Sequence, residues 1–413
     1  RFVMRFGVFI RRVVAALLVV CVSITSAARA ATLDDDVKAV AEANNQFAFD
    51  LYARLAKDHP GNLFFSPYSI CSALAMTYAG ARGETADQMR KVLHFSLPDE
   101  RLHAAFGKLQ NEINAGGSVE GELLYELTIA NALWAQQGRT YNAAFGRLLQ
   151  QYYAADLHLA DMASAPDAVR ADINQWVASK TAGKIIDIMP KGSLNASSRL
   201  VLVNATYFKS RWQTQFDVRE TQKGMFHIAS DTEVSCQLMT LRHRLSAMEN
   251  SEMQLLDMPY FGQGLSMLVI LPRTAEGFGA IESSLDSQHL KQWQSDLSTH
   301  DSLVYFPRFV LSSEQGLRGA LESMGTGGMF SNAADFSGIA DGGIIHLGQF
   351  AHKAFVSVEE KGTEASAVSG EELEMAISVP PMAFRADHPF LFLIMDNHSG
   401  AIIYIGRLVN PSI

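Results

Sequence analysis

Two short stretches, Leu200–Val203 and Leu265–Leu271, are apolar on both of their faces. Runs of that length with no polar side suit strands inside a sheet that is covered above and below. A chain containing them must therefore supply helices to cover a sheet. It does so early. Val37, Val40, Ala41, Phe47, Ala48, Leu51 and Leu55 recur at three- and four-residue spacing, so Asp34–Lys57 reads as an amphipathic helix with acids in its first turn. Ser66-Pro67 supplies a cap and a first helical residue for a second helix, whose small and apolar run Ile70–Ala79 stops at Gly80. Val169, Ile173, Trp176 and Val177 mark another helix that ends near Gly183. Late in the chain, Phe390–Met395 and Ala401–Gly406 flank Asp396-Asn397-His398-Ser399-Gly400 and read as an antiparallel hairpin. Helices early, strands late and no strict alternation predict an α+β protein with mostly antiparallel sheets.

A length of 413 residues would suit two to three domains, but 48% apolar and 19% charged residues favour one large core, spanning residues 31–413. The first thirty residues are different. Arg5, Arg11 and Arg12 precede the apolar run Val13–Val22, and Ala28-Arg29-Ala30 supplies a small-x-small cleavage pattern. Residues 1–30 read as a cleaved export signal, which predicts a secreted, extracellular or periplasmic protein. The apolar run is too short for a permanent membrane helix, which needs about 20 residues. Losing the five arginines of this segment takes the net charge from −9 to −14. Such a surface repels phosphate backbones and anionic lipid, so neither a nucleic-acid nor a membrane partner is expected.

Cys21 would leave with the signal. Cys71 and Cys236 each sit in an apolar stretch and read as buried free thiols, with a single disulfide as the other possibility. No cysteine pair has zinc-ligand spacing, and no metal or other cofactor is expected. The motifs G-x-S-x-G, H-E-x-x-H and G-x-x-x-x-G-K-[ST] do not occur. Gly262-Gln263-Gly264 and Gly325-Thr326-Gly327-Gly328 are too short for a dinucleotide fingerprint and read as turns. His346 and His352 are six apart, which suits no single helical face. No catalytic residue is therefore assigned, and the chain reads as a non-enzyme.

One segment does not suit a core. Between the strand-like Ala354–Glu359 and Pro380-Pro381, residues 361–376 are small, acidic and poor in turn formers. Loops this long in compact domains are functional or disordered. Composition alone leaves a solvated linker open.

Glu359-Glu360-Lys361-Gly362-Thr363-Glu364-Ala365 resembles the hinge of the serpin family. Further segments agree in order. Asn62 to Ile70 resembles the family's buried second helix, and Asn204 to Trp212 its central strand and exit. Asp257-Met258-Pro259-Tyr260, Ala334-Asp335-Phe336-Ser337 and Phe384 to Phe392 also match, so the likeness runs from about Asn44 to Pro411. It implies three sheets, eight or nine helices and a reactive-centre loop at about 360–381, exposed as bait. It implies a mechanism as well. A serine protease attacks the loop and forms a covalent acyl-enzyme, and the freed loop then inserts as a new strand in the main sheet and traps the enzyme. The other reading within the family is a non-inhibitory carrier or chaperone whose loop is cut as a substrate.

The resemblance assigns roles residue by residue. Glu360, Gly362, Thr363, Glu364, Ala365, Ser366, Ala367, Val368 and Ser369 form the hinge. Thr363, Ala365, Ala367 and Ser369 alternate, are all small, and would face inward on insertion. Glu371 continues that inward row with a carboxylate, which is costly to bury. Counting the usual loop length puts the scissile bond between Ala376 and Ile377, with Met375 and Ser378 as the flanking alternatives. All are uncharged, so the target has a small or apolar primary pocket, as in elastase-, chymotrypsin- or subtilisin-like enzymes. Ser66, Ser69, Asn204 and His352 match a polar cluster under the moving strands, the shutter, and Trp212 matches the entry point, the breach. Arg101–Asn114 matches the helix that binds heparin in some relatives. With only Arg101, His103 and Lys108 as basic groups there, no heparin activation is expected. The protein is expected to be a monomer.

Overall fold

A computed structural model describes residues 32–115, 117–119, 122–229, 231–312, 316–341, 345–363 and 380–412. The export signal assigned to residues 1–30 lies outside them. So do Glu364, Ala365, Ser366, Ala367, Val368 and Ser369 of the hinge, and the scissile-bond candidates Met375, Ala376, Ile377 and Ser378.

The first helix, α1 (Leu33–Asp58), starts where the sequence places acids near a cap. Thr32 Oγ1 accepts from the Asp35 N–H at 3.2 Å, and the Asp35 carboxylate accepts from the Thr32 N–H at 2.8 Å. Helix α2 (Pro67–Tyr78) is buried along its whole length, so it crosses the interior rather than lying on it. No described helix is long and apolar enough to cross a membrane.

The main sheet holds six strands: β1 (Tyr125–Gln136), β2 (Asp156–Ala160), β3 (Leu200–Arg211), β4 (Phe309–Ser312), β5 (Leu347–Glu359) and β6 (Gly362–Thr363). Their order is β4-β5-β6-β3-β1-β2. Strand β3 explains the apolar run in the sequence. Leu200, Leu202 and Phe208 face the principal core, which contains α2, while Val201, Val203 and Ala205 face a second cluster with Ile173 and Val177 of the helix Pro166–Lys180. Both faces are covered, so both are apolar.

A second sheet of nine strands includes Phe390–Asp396 paired with Ile402–Leu408, the hairpin read from sequence. Its edge strand Met382–Arg385 runs parallel to Ser298–Pro307 and takes up the chain again after residue 379. A two-stranded hairpin, Ser118–Val119 with Glu122–Leu123, makes a third sheet among the described residues. The glycine run at Gly325–Gly328 is not a plain turn. It lies in single irregular helical turns, with Gly325 at φ 114°.

Candidate functional site at the seam of the main sheet

Strands β3 and β5 pair in parallel, from Leu347 opposite Leu200 to Phe355 opposite Tyr207. At the end of this seam the chain reverses. Gly362 and Thr363 form β6, which pairs antiparallel with both neighbours: Gly362 opposite Arg211 and Glu359, Thr363 opposite Ser210 and Val358. The seam is closed along most of its length and already holds two residues of a sixth strand at one end. Gly362 is required at the reversal. Its φ is +134°, and a Cβ there would stand 2.2 Å from the Ser210 carbonyl oxygen.

The root of this short strand is fixed by Trp212 and Glu360. Trp212 N–H donates to the Lys361 carbonyl at 3.0 Å, its indole N–H to the Glu359 carbonyl at 3.0 Å, and Phe216 N–H to the Glu360 carbonyl at 2.9 Å. The indole lies flat on Tyr260, with ring centres 4.6 Å apart. The Glu360 side chain is only 4% exposed, receives Thr221 Oγ1 at 2.6 Å and forms an ion pair with Arg308. Burial alone would raise this carboxyl's pKa. The hydroxyl and the guanidinium more than offset that and hold it below its ordinary value. Glu360, assigned to the hinge by the resemblance, is thus tied down by its side chain and its carbonyl just before Gly362.

Midway along the seam lies the polar cluster. Asn204 on β3 and His352 on β5 stand opposite each other, and His352 Nδ1 bonds Asn204 Oδ1 directly across the seam. His352 Nε2 accepts from the Ser66 N–H at 3.4 Å. Ser66 Oγ caps α2 by accepting from the Ser69 N–H at 3.2 Å and donates to the Ile403 carbonyl at 2.7 Å, so it is both a helix cap and a member of the cluster. Asn204 Nδ2 donates to the Ser69 carbonyl at 3.0 Å, to Ser69 Oγ and to Asn131 Oδ1. All four sequence-assigned residues are therefore brought together, and all are buried. Asn131 on β1 was missed. Its only sequence signal is an amide inside the strand-length run Tyr125–Gln136.

These bonds require a neutral imidazole with its proton on Nδ1, and burial lowers the pKa of His352 from 6.5 to about 3. Between those values the unfolded chain holds a proton here that the native chain does not, so stability falls as pH falls through this window. The melting temperature is expected to drop progressively from pH 6.5 to pH 4. His103, lowered to about 4 by burial, adds to the same trend. Replacing His352 with glutamine should flatten the profile without abolishing it, as read by thermal unfolding across pH. An unchanged slope would remove His352 from this account.

The basic groups of the helix Asp99–Ala115 are already engaged. Arg101 pairs with Asp36, Lys108 with Asp34 at 3.0 Å and Glu112 at 2.7 Å, and His103 is buried against the Tyr153 hydroxyl. Cys71 and Cys236 are both buried and free. Among the described residues no group of three His, Cys, Asp or Glu side chains could hold a metal ion.

The seam thus carries a partly filled strand position at one end and a buried polar cluster midway along it. The family described as Serpin (serine protease inhibitor) matches residues 42–411, and the chain belongs to it. It is 36% identical over 378 residues to the leukocyte elastase inhibitor of Bos taurus, covering 89% of this chain and 98% of that one. It is also 36% identical over 377 residues to a serpin-like protein of Thermococcus kodakarensis, covering 91% and 86%. Among solved structures, uncleaved ovalbumin superposes with a TM-score of 0.82 at 28% identity, covering 90% of this chain and all of ovalbumin. Human thyroxine-binding globulin with its hormone gives the same TM-score and identity, covering 92% and 100%. The protein is accordingly a member of a protease-inhibitor family and not an enzyme.

Proposed function

We propose that the chain is an exported, monomeric suicide inhibitor of a serine protease with a small or apolar primary pocket. The protease cuts at Ala376–Ile377, or one residue to either side, and is trapped as its acyl-enzyme when the freed segment enters the β3–β5 seam. No heparin is needed. The observation that carries this reading is the register of β6. Continued down the seam, it sets Ala365 opposite Phe208 and Val356, Ala367 opposite Thr206 and Ala354, and Ser369 opposite Asn204 and His352. Directly opposed residues share a face. Small side chains thus meet a closely packed core, and the Ser369 hydroxyl arrives between the two groups whose mutual hydrogen bond the opening must break. The leukocyte elastase inhibitor among its relatives supports an apolar target.

Incubation with pancreatic elastase, chymotrypsin and subtilisin tests the proposal. At least one is expected to form an SDS-stable conjugate, and cleavage of the loop with every protease left active would reject it. That second outcome belongs to the carrier reading, which the likeness to a thyroxine-bound globulin keeps on the table.

The same register sets Glu371 opposite Leu202 and Phe350, both buried in the principal core. Burying an unpaired carboxylate there costs several kcal/mol, so insertion past this point is slowed. Glu371→Ala is expected to raise the ratio of conjugate to cleaved inhibitor, and to speed insertion by about tenfold or more. Stoichiometry of inhibition measures this directly, and a value unchanged from wild type would mean that Glu371 does not enter the core.

A further inference from the structure

At the edge of the main sheet, away from the seam, a histidine lies between two tryptophans. Strand β2 is the edge strand, and its His158 stands opposite Trp134 of β1. The imidazole lies nearly flat on the Trp134 indole, with ring centres 4.4 Å apart and planes 19° apart, and meets the Trp176 indole edge-on at 5.8 Å. Trp176 belongs to the helix Pro166–Lys180, whose Ile173 and Val177 pack on β3, so the three rings join that helix to the sheet edge. Aromatic contacts of this kind contribute about 0.5–1.5 kcal/mol each. Trp134 Nε1 and His158 Nε2 are both buried and have no hydrogen-bond partner among the described residues. A neutral imidazole tolerates that setting. A charged one does not, because the proton on Nε2 would be buried with no acceptor. Two charges act on the ring: Asp156 on the same strand, exposed and accepting from Gln150 Nε2 at 3.2 Å, and exposed Lys180 at the end of the helix. Burial is the largest influence and lowers the pKa of His158, opposed by Asp156 and reinforced by Lys180.

We propose that His158 is an acid-operated latch between the edge of the main sheet and the helix Pro166–Lys180: neutral, it bridges Trp134 and Trp176; protonated, it releases the C-terminal half of the helix from β2. Once the joint opens, the ring is solvated and titrates near the ordinary value of about 6.5, whereas in the closed joint it titrates lower. Opening therefore becomes easier as pH falls below about 6.5, by at most about tenfold at pH 5.5. The helix also covers the face of β3 that carries Val201, Val203 and Ala205, beside the seam. A loosened helix thus speeds loop entry at acid pH. That second effect rests on the inhibitory reading; the latch itself does not.

Hydrogen exchange of the uncleaved protein, read by mass spectrometry over residues 170–180 and corrected for the intrinsic effect of pH, tests the latch without any protease. Protection there is expected to fall several-fold from pH 7.5 to pH 5.5 in wild type. In His158→Phe, which keeps a flat ring between the two indoles but cannot take a proton, it should hardly change. Trp176→Leu, which removes the contact from the helix side, should give low protection at both pH values. No fall in wild type, an equal fall in His158→Phe, or wild-type protection in Trp176→Leu at pH 7.5 overturns the proposal. In a parallel assay, with whichever of elastase, chymotrypsin and subtilisin forms a conjugate, the rate for wild type relative to His158→Phe should rise several-fold from pH 7.5 to pH 5.5. The protease's own pH dependence cancels in that ratio. An unchanged ratio would overturn the coupling to loop entry, whereas failure to form any conjugate would count against the inhibitory function and leave the exchange result to decide the latch.

Discussion

Replacing Thr363 with arginine is expected to convert the protein from an inhibitor into a substrate. Position 363 is the second residue of β6, and its backbone already pairs between Ser210 and Val358, which are both buried. On the proposed mechanism every later residue follows it into the seam, so the side chain at this position would set the first barrier to insertion. A guanidinium carried into the buried face of the seam unpaired would cost several kcal/mol. Each 1.4 kcal/mol slows a step by a factor of ten, so entry falls by roughly a hundredfold or more. Deacylation of the protease does not slow in parallel. The protease therefore escapes before it is trapped, and conjugate on an SDS gel should fall to a trace while loop cleavage proceeds at its normal rate. Thr363→Ser, which keeps the side chain small and neutral, should still inhibit. Conjugate formation by the arginine variant at the wild-type level would show that the segment does not enter the sheet through this point.

The second large effect is thermal. Cutting the loop at Ala376–Ile377, or within a residue of it, is expected to raise the melting temperature by about 10 °C or more. In the uncleaved protein the centre of the main sheet is a single parallel seam between β3 and β5, broken only by the two residues of β6. On the proposed mechanism, insertion would replace that seam with two antiparallel ladders and bury Ala365, Ala367, Leu373 and Met375. Parallel pairing is slightly the less stable of the two arrangements per residue, and each added hydrogen bond contributes about 0.5–1.5 kcal/mol net. At ~2–4 °C per kcal/mol for chains of 150–250 residues, a rise of that size reports a gain of several kcal/mol. Calorimetry before and after limited proteolysis measures it. A melting point left where it was would mean that cleavage releases no energy, and the trap would have nothing to drive it.

These expectations draw unevenly on sequence. The apolar runs at Leu200–Val203 and Leu265–Leu271, the cap at Ser66 and the hairpin around Asp396–Gly400 were legible because each is decided by local spacing or by a backbone preference. Serine, asparagine and histidine at 66, 69, 204 and 352 carried no joint signal of their own. They lie on three elements far apart in the chain, and only the family resemblance grouped them. Asn131 escaped altogether, because one amide in a strand is indistinguishable from a surface residue until its neighbours are known. Arg308 and Thr221 were invisible for the same reason. Nothing in their local sequence shows that they neutralise Glu360 and fix the hinge root.

What the chain's residues decided alone was the inventory: strands covered on both faces, a helix buried all round, and a long run of small side chains after Gly362 that no core would select. Tertiary structure decided the register. Whether Ser369 meets Asn204 and His352, or Glu371 meets Leu202 and Phe350, depends on how β6 seats between β3 and β5. A shift of one residue there would send every inward side chain to the opposite face. That alignment is fixed by contacts between residues more than a hundred positions apart, at Trp212, Glu360 and Arg211, and so it could be read only once the sheet was closed.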